Sequence, residues 1–179
     1  AQAYADSIPM LVISSVNERA RLAHGNGYLH ELPNQRNLVG NVCAFSHTLM
    51  SAEELPAVLA RAFAVFDSER PRPVHIELPL DVITAPAEHL ALRPRTVASR
   101  PAPALAPLRE AAARLRNAKK PLLLLGGGCV EAAAEARALA AALDAPTALT
   151  INAKGLLPAD HPLLLGSNQS CVPVRELAA

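Results

Sequence analysis

The chain has 179 residues, 51% of them apolar, enough to bury the core of one domain or two small ones. Its 17 Lys and Arg against 16 Asp and Glu leave no electrostatic footprint for nucleic acid or an anionic membrane surface. No apolar run approaches the roughly 20 residues that span a bilayer, and the first residues have neither a basic leader nor an apolar core with a small-residue cleavage site.

A soluble protein is therefore expected. Cys43, Cys129 and Cys171 are an odd number at unmatched spacings, which suits neither a disulfide framework nor a zinc site. They are expected as small buried hydrophobes in a reducing cytoplasm.

In chain order, residues 8–15 form a short apolar run consistent with a strand covered on both faces in a parallel sheet. From 18 to 40 the sequence becomes polar and is broken by Gly25, Gly27 and Pro33, describing a long loop or a loop with a short helix. Such loops in compact α/β units often carry function. Glu31, Asn34, Gln35, Arg36 and Asn37 make a dense polar cluster within it, suited to a polar substrate or equally to water.

Ser51-Ala52-Glu53-Glu54 matches a capping box, and Leu55, Val58, Leu59, Ala62, Phe63 and Phe66 follow at helical spacing. Residues 73–79 then read as a strand bracketed by prolines, with His75 and Glu77 giving it one more polar face. Helix followed by strand implies a βαβ arrangement. The proline-rich stretch 86–107, with Arg93, Arg95 and Arg100 interspersed, reads as a semi-rigid interdomain linker.

Beyond the linker the spacing predicts a helix over 108–117, a buried strand over 121–125, a tight turn at Gly126-Gly127-Gly128, a helix over 132–143 and a strand over 146–151. This is a second α/β unit. After Pro158 the pattern loosens, with too few strands to close a second sheet, so the sequence reads as cut at both ends. The fold class is α/β, parallel-sheet units with flanking helices.

Few local motifs carry chemistry. A strand entering Gly126-Gly127-Gly128 and then a helix is where an α/β fold aims backbone N–H groups at a phosphate. The spacing is not that of a dinucleotide fingerprint, and no acidic residue lies within 147–151 to hold a ribose, so a plain tight turn is the alternative. His47, His75 and His161 are too scattered for a local metal site. Lys154-Gly155 lacks the glycine-rich run of a phosphate loop.

Several stretches, in order, resemble the acetolactate synthase and 2-oxo acid decarboxylase branch of thiamine diphosphate-dependent enzymes. Residues 3–13 look like the helix end and strand of the pyrimidine-binding domain. Ser46-His47-Thr48 resembles its Lys-His-Ser segment, and Arg72-Pro73-Val74 through Pro79-Leu80-Asp81-Val82 its closing strand. Lys120-Pro121 through Gly128, then Gly155-Leu156-Leu157-Pro158-Ala159-Asp160-His161-Pro162 and Gly166, look like the opening of the central domain.

The resemblance implies residues 1–88 from a pyrimidine-binding domain, a linker at 89–106 and a Rossmann-like central domain from 107 to 179. It implies thiamine diphosphate and Mg²⁺ as cofactors, a 2-oxo acid substrate, and a homodimer or homotetramer. The family's activating glutamate would lie before Ala1 and its Gly-Asp-Gly diphosphate site after Ala179, so the chain alone is expected to be inactive and no catalytic residue is assigned within it. Gln35 matches a Gln that faces the active site in the synthases, across a one-residue gap and with Asn34 where they carry Phe.

In the flavin-binding members Gly126, Gly127, Gly128, Thr150, Ile151 and Asn152 would line the cofactor cleft. Val42 stands where those members carry an Arg, and Ser46 replaces their Lys, which weighs against FAD and favours a decarboxylase. Residues 29–36 resemble the decarboxylases of the guanidino 2-oxo acid derived from arginine, in which Glu31 would pair bidentately with the guanidinium. The reading from another class is a non-catalytic module that binds FAD, ADP or NAD at the Gly126 turn.

Overall fold

The computed structural model describes residues 1–90, 99–167 and 172–177. Residues 91–98 of the expected linker, with Arg93 and Arg95, and Cys171 lie outside the described residues. The chain divides into two compact units, Ala1–Ala102 and Pro103–Ala179. Among the described residues no helix is long and apolar enough to cross a membrane.

The first unit begins with a short helix, α1 (Gln2–Ala5), and runs through β1 (Met10–Val16), a 3-10 turn at Arg19–Arg21, α2 (Gln35–Gly40) and β2 (Phe45–Thr48). It continues through a second 3-10 turn at Ala52–Glu54, then α3 (Leu55–Ser68), β3 (Pro73–Pro79) and α4 (Leu80–Ile83). The three strands are parallel, in the order β1-β3-β2. Central position explains the composition of β3: all of it is buried except Leu78, which is half-buried.

One face of this sheet is apolar. Val74 and Ile76 of β3 pack on Val58, Ala62 and Val65 of α3, joined by Leu49 and Val82. Ala62 is fully buried and small, which lets the helix lie close to the strands. Each buried Val or Ile contributes about 1.5–3 kcal/mol.

The capping box expected at Ser51 does not form. Ser51 makes no side-chain cap, and the α-helical ladder starts at Leu55 rather than at Ala52. Pro56 is the reason: without an N–H it cannot bond the carbonyl of Ala52, so residues 52–54 wind as a 3-10 turn. The Glu54 carboxylate accepts instead from the Met50 N–H at 3.3 Å and lies 2.9 Å from His47 Nε2.

The second unit carries α5 (Leu105–Asn117), β4 (Leu123–Leu125), a 3-10 turn at Gly127–Ala132, α6 (Ala133–Leu143) and β5 (Thr147–Leu149). A 3-10 turn at Ile151–Ala153, β6 (Leu164–Gly166) and α7 (Val172–Leu177) follow. Its strands are also parallel, in the order β4-β5-β6. Leu123, Leu125 and Leu149 pack against Ala136 and Ala140 of α6 and against Leu156 and Leu157.

Here the sequence reading needs two adjustments. The glycine turn is not tight: Gly126 opens a 3-10 stretch to Ala132, and Cys129 N–H donates to the Gly126 carbonyl at 3.0 Å. The strand expected to reach Ile151 stops at Leu149, and β6 forms where the pattern loosens. Cys43 is buried and Cys129 half-buried, both as free thiols.

Candidate functional site

The second face of the first sheet is polar, and it is buried. In a parallel sheet, register partners project to the same side, and Ser46 pairs with His75 while Ser14 and Thr48 pair with Glu77. His75 is 1% exposed and Glu77 4%. Water cannot satisfy them, so the neighbours must.

The hydrogen bonds do so across all three strands. Ser46 Oγ lies 2.7 Å from His75 Nδ1, and Ser14 Oγ lies 2.8 Å from His75 Nε2. Thr48 Oγ1 donates to Glu77 Oε1 at 2.5 Å. Gln35, at the start of α2, donates through Nε2 to Ser14 Oγ at 3.1 Å, the Ser15 carbonyl at 3.0 Å and Glu77 Oε2 at 3.3 Å. Burial pushes the His75 pKa below the ordinary histidine value, and the nearby Glu77 charge opposes that only in part.

Gln35 comes to this layer because α2 starts there. Asn34 is the N-cap, its Oδ1 accepting from the Asn37 N–H at 2.9 Å. The next residue, Arg36, donates through Nε to the Ser46 carbonyl at 3.0 Å and lines the same cavity as Gln35.

The loop between β1 and α2 is braced by its own residues. Glu31 accepts from the backbone N–H groups of Gly25 at 2.6 Å, Gly27 at 2.8 Å and Tyr28 at 3.1 Å. Partial burial would raise the Glu31 pKa, but these backbone donors outweigh it and hold the carboxyl below its ordinary value. Gly25 and Gly27 have φ of 70° and 74°, which glycine adopts without strain. At its start the loop is tied down by Arg19, whose Nε lies 2.6 Å from Asp81 Oδ2 and whose Nη1 donates to the Met50 carbonyl.

Loop, α2 and strand ends line a half-open cavity of about 250 Å³. Val16, Leu32 and Pro33 supply apolar wall, while Gln35, Thr48 and Glu77 supply polar floor. Of the two substrate-side residues read from the sequence, Gln35 lines this cavity, whereas the Glu31 carboxylate is turned onto its own loop. Ser14, Ser46, Thr48, His75 and Glu77 were not singled out as site residues; the one available signal was the polar alternation of His75 and Glu77 between two prolines.

In the second unit the Gly126 and Thr150 segments meet at the ends of β4 and β5, with the Thr150 N–H donating to the Leu125 carbonyl at 2.9 Å. A Cβ added to Gly127 would stand 3.2 Å from Asn152 Cβ, and one on Gly126 3.7 Å from Thr150. The facing segment therefore crowds Gly127, whereas at Gly126 a Cβ would make only ordinary contacts. Gly128 faces open space, and Ile151 is 74% exposed. Among the described residues no three His, Cys, Asp or Glu side chains converge to hold a metal.

Residues 108–175 match the family described as thiamine pyrophosphate enzyme, central domain. Over 99% of its length the chain is 48% identical to a probable 2-ketoarginine decarboxylase of Pseudomonas aeruginosa, covering 32% of that protein. Over 93% it is 36% identical to the large subunit of acetolactate synthase isozyme 1 of Escherichia coli, covering 29% of it. The chain thus spans about a third of the length of these curated relatives. Among solved structures it is similar to benzoylformate decarboxylase of Polynucleobacter necessarius, with a TM-score of 0.79 and 27% identity over 92% of this chain and 31% of that one. With the central-domain match over 108–175 and these relatives in agreement, the chain is similar over nearly its whole length to thiamine diphosphate-dependent enzymes.

Proposed function

We propose that the protein carrying this sequence decarboxylates a 2-oxo acid with a guanidinium at its far end, using thiamine diphosphate and Mg²⁺. The observation that carries this is the 48% identity to a probable 2-ketoarginine decarboxylase across 99% of the chain, against 36% to an acetolactate synthase. The first unit is then part of the pyrimidine-binding domain and the second part of the central domain, joined by a linker at 89–106. A homodimer or homotetramer in the cytoplasm completes the reading.

Thiamine diphosphate, when bound, supplies the electron sink for loss of CO₂. This chain contributes the walls around the substrate. Gln35 presents its amide at the cavity floor, and Glu31 shapes the loop that closes over it. No Mg²⁺ ligand is assigned among the described residues, none of which form an acidic or histidine cluster.

The crevice of Gly126, Gly127, Gly128, Thr150, Ile151 and Asn152 is where a nucleotide such as FAD would lie. Gly127 packs against Asn152 while Gly128 faces open space, so the glycines do not decide between a flavin-bearing and a flavin-free protein. Val42 and Ser46, standing where the flavin-binding members carry Arg and Lys, are what favour a decarboxylase without FAD.

The test is turnover by the full-length protein with thiamine diphosphate and Mg²⁺. Release of CO₂ from 5-guanidino-2-oxopentanoate at a kcat/KM at least tenfold above that for pyruvate is expected. Acetolactate formation from pyruvate as the main reaction would overturn the decarboxylase reading in favour of a synthase.

A further inference from the structure

Glu77 is a buried carboxylate that accepts hydrogen bonds and, among the described residues, forms no ion pair. A carboxylate offers about four acceptor positions. Thr48 Oγ1 at 2.5 Å uses one, and Gln35 Nε2 at 3.3 Å uses a second at the long limit for an N–H···O bond. Among the described residues no Lys or Arg forms an ion pair with it. Arg36 lines the same cavity and keeps its charge, but its Nε donates to the Ser46 carbonyl and it forms no ion pair with Glu77. His75, two residues away, is spent on Ser14 and Ser46 and is driven by burial toward its neutral form.

Both oxygens have a neutral partner and neither has a cation, so acceptor capacity is left for a cationic ligand that reaches the cavity. The surroundings specify the ligand. The cavity of about 250 Å³ is smaller than a drug-sized pocket, which suits a head group and a short stem. Val16, Leu32 and Pro33 offer apolar contact to methylenes and to the flat faces of a guanidinium, and Glu77 at the floor matches its fork of donors.

We infer that Glu77 forms a cation-recognition subsite, which seats a guanidinium carried on a short aliphatic stem. Glu77, and not Glu31, then supplies the charge that selects the ligand, because the Glu31 carboxylate already accepts three backbone N–H groups. The identity of that ligand with the substrate rests on the function proposed above; the preference of the subsite for a cation does not.

The experiment is calorimetric titration of the full-length protein with butylguanidine and with butylurea, its uncharged counterpart. Butylguanidine should bind at least tenfold more tightly than butylurea. Glu77→Gln should erase that preference, and Glu77→Asp, which keeps the charge, should retain part of it. Equal binding of the two probes by the unaltered protein overturns the inference without any variant, as does an unchanged preference in a folded Glu77→Gln protein. If butylguanidine is preferred but 5-guanidino-2-oxopentanoate is not turned over, the subsite stands and the proposed substrate falls.

Discussion

Ser46 Oγ stands 2.7 Å from His75 Nδ1, one link in a chain of hydrogen bonds that crosses the first sheet from β2 to β1. Gln35 Nε2 donates to Ser14 Oγ, which leaves the Ser14 hydrogen for His75 Nε2 at 2.8 Å. The ring proton is then assigned to Nδ1, facing Ser46. A neutral imidazole satisfies both serines at once, whereas an imidazolium would donate from both nitrogens and force the Ser14 hydrogen away.

Acid should therefore loosen this layer. Burial depresses the His75 pKa in the folded protein, so the unfolded chain takes up the proton first as pH falls through about 6.5. The unfolded state binds more protons in that window, so stability rises with pH and is lost as pH drops below it. Amide exchange of β3 in the full-length protein, corrected for intrinsic rates, should be clearly faster at pH 5.5 than at pH 7.5. His75→Leu should remove most of that difference; an equal pH response in both proteins would dissociate the effect from His75.

The same substitution has a cost at neutral pH. Leu in place of His75 takes the ring partner from the half-buried Ser46 and Ser14 hydroxyls, Ser14 keeping Gln35, at up to about 1–3 kcal/mol for a polar group that loses its partner. Replacing Ser14 and Ser46 by Ala in the His75→Leu background should restore part of the loss. A triple variant no more stable than the single one would mean that the hydrogen bonds are not what the sheet depends on.

Glu31 lends itself to a local test. Glu31→Ala removes the acceptor of three N–H groups without touching either apolar core, so the amides of Gly25, Gly27 and Tyr28 should exchange at least tenfold faster while those of β3 hold. Because the Glu31 pKa is held down, its contribution is present above the ordinary carboxyl range and lost as pH falls through the lowered value. Unchanged exchange at Gly25 and Gly27 would remove Glu31 as the brace of the loop.

The layers of the fold were legible because periodicity reports burial. Residues 55–66 repeat apolar side chains at helical spacing, and α3 packs that stripe on Val74 and Ile76 except for Phe63, which is exposed. The strands β2 and β6 were not, since Phe45-Ser46-His47-Thr48 and Leu164-Leu165-Gly166 are too short for a period to emerge. The candidate site was legible only in outline. Gln35 stood out as one polar residue among several, but its partners Ser14 and Glu77 lie 21 and 42 positions away, which no local pattern encodes. Ser46 illustrates the same limit: read as a departure from the family's Lys, it is a short hydroxyl that fits beside a buried histidine.

Gly127 offers the last and most local prediction. Its backbone is not in the left-handed region, so any effect of Gly127→Ala comes from space: the new Cβ would stand 3.2 Å from Asn152 Cβ, tighter than ordinary packing allows. A neighbour that must shift by a few tenths of an ångström costs about 1–3 kcal/mol. Because the obstructing atom is a Cβ, Asn152→Ala should give no relief, whereas Asn152→Gly should absorb the substitution. A double-mutant cycle measured by thermal or urea unfolding checks this: coupling of Gly127→Ala with Asn152→Gly, and none with Asn152→Ala, is the expected result. Equal coupling with both would place the obstruction beyond Cβ, in the Asn152 amide.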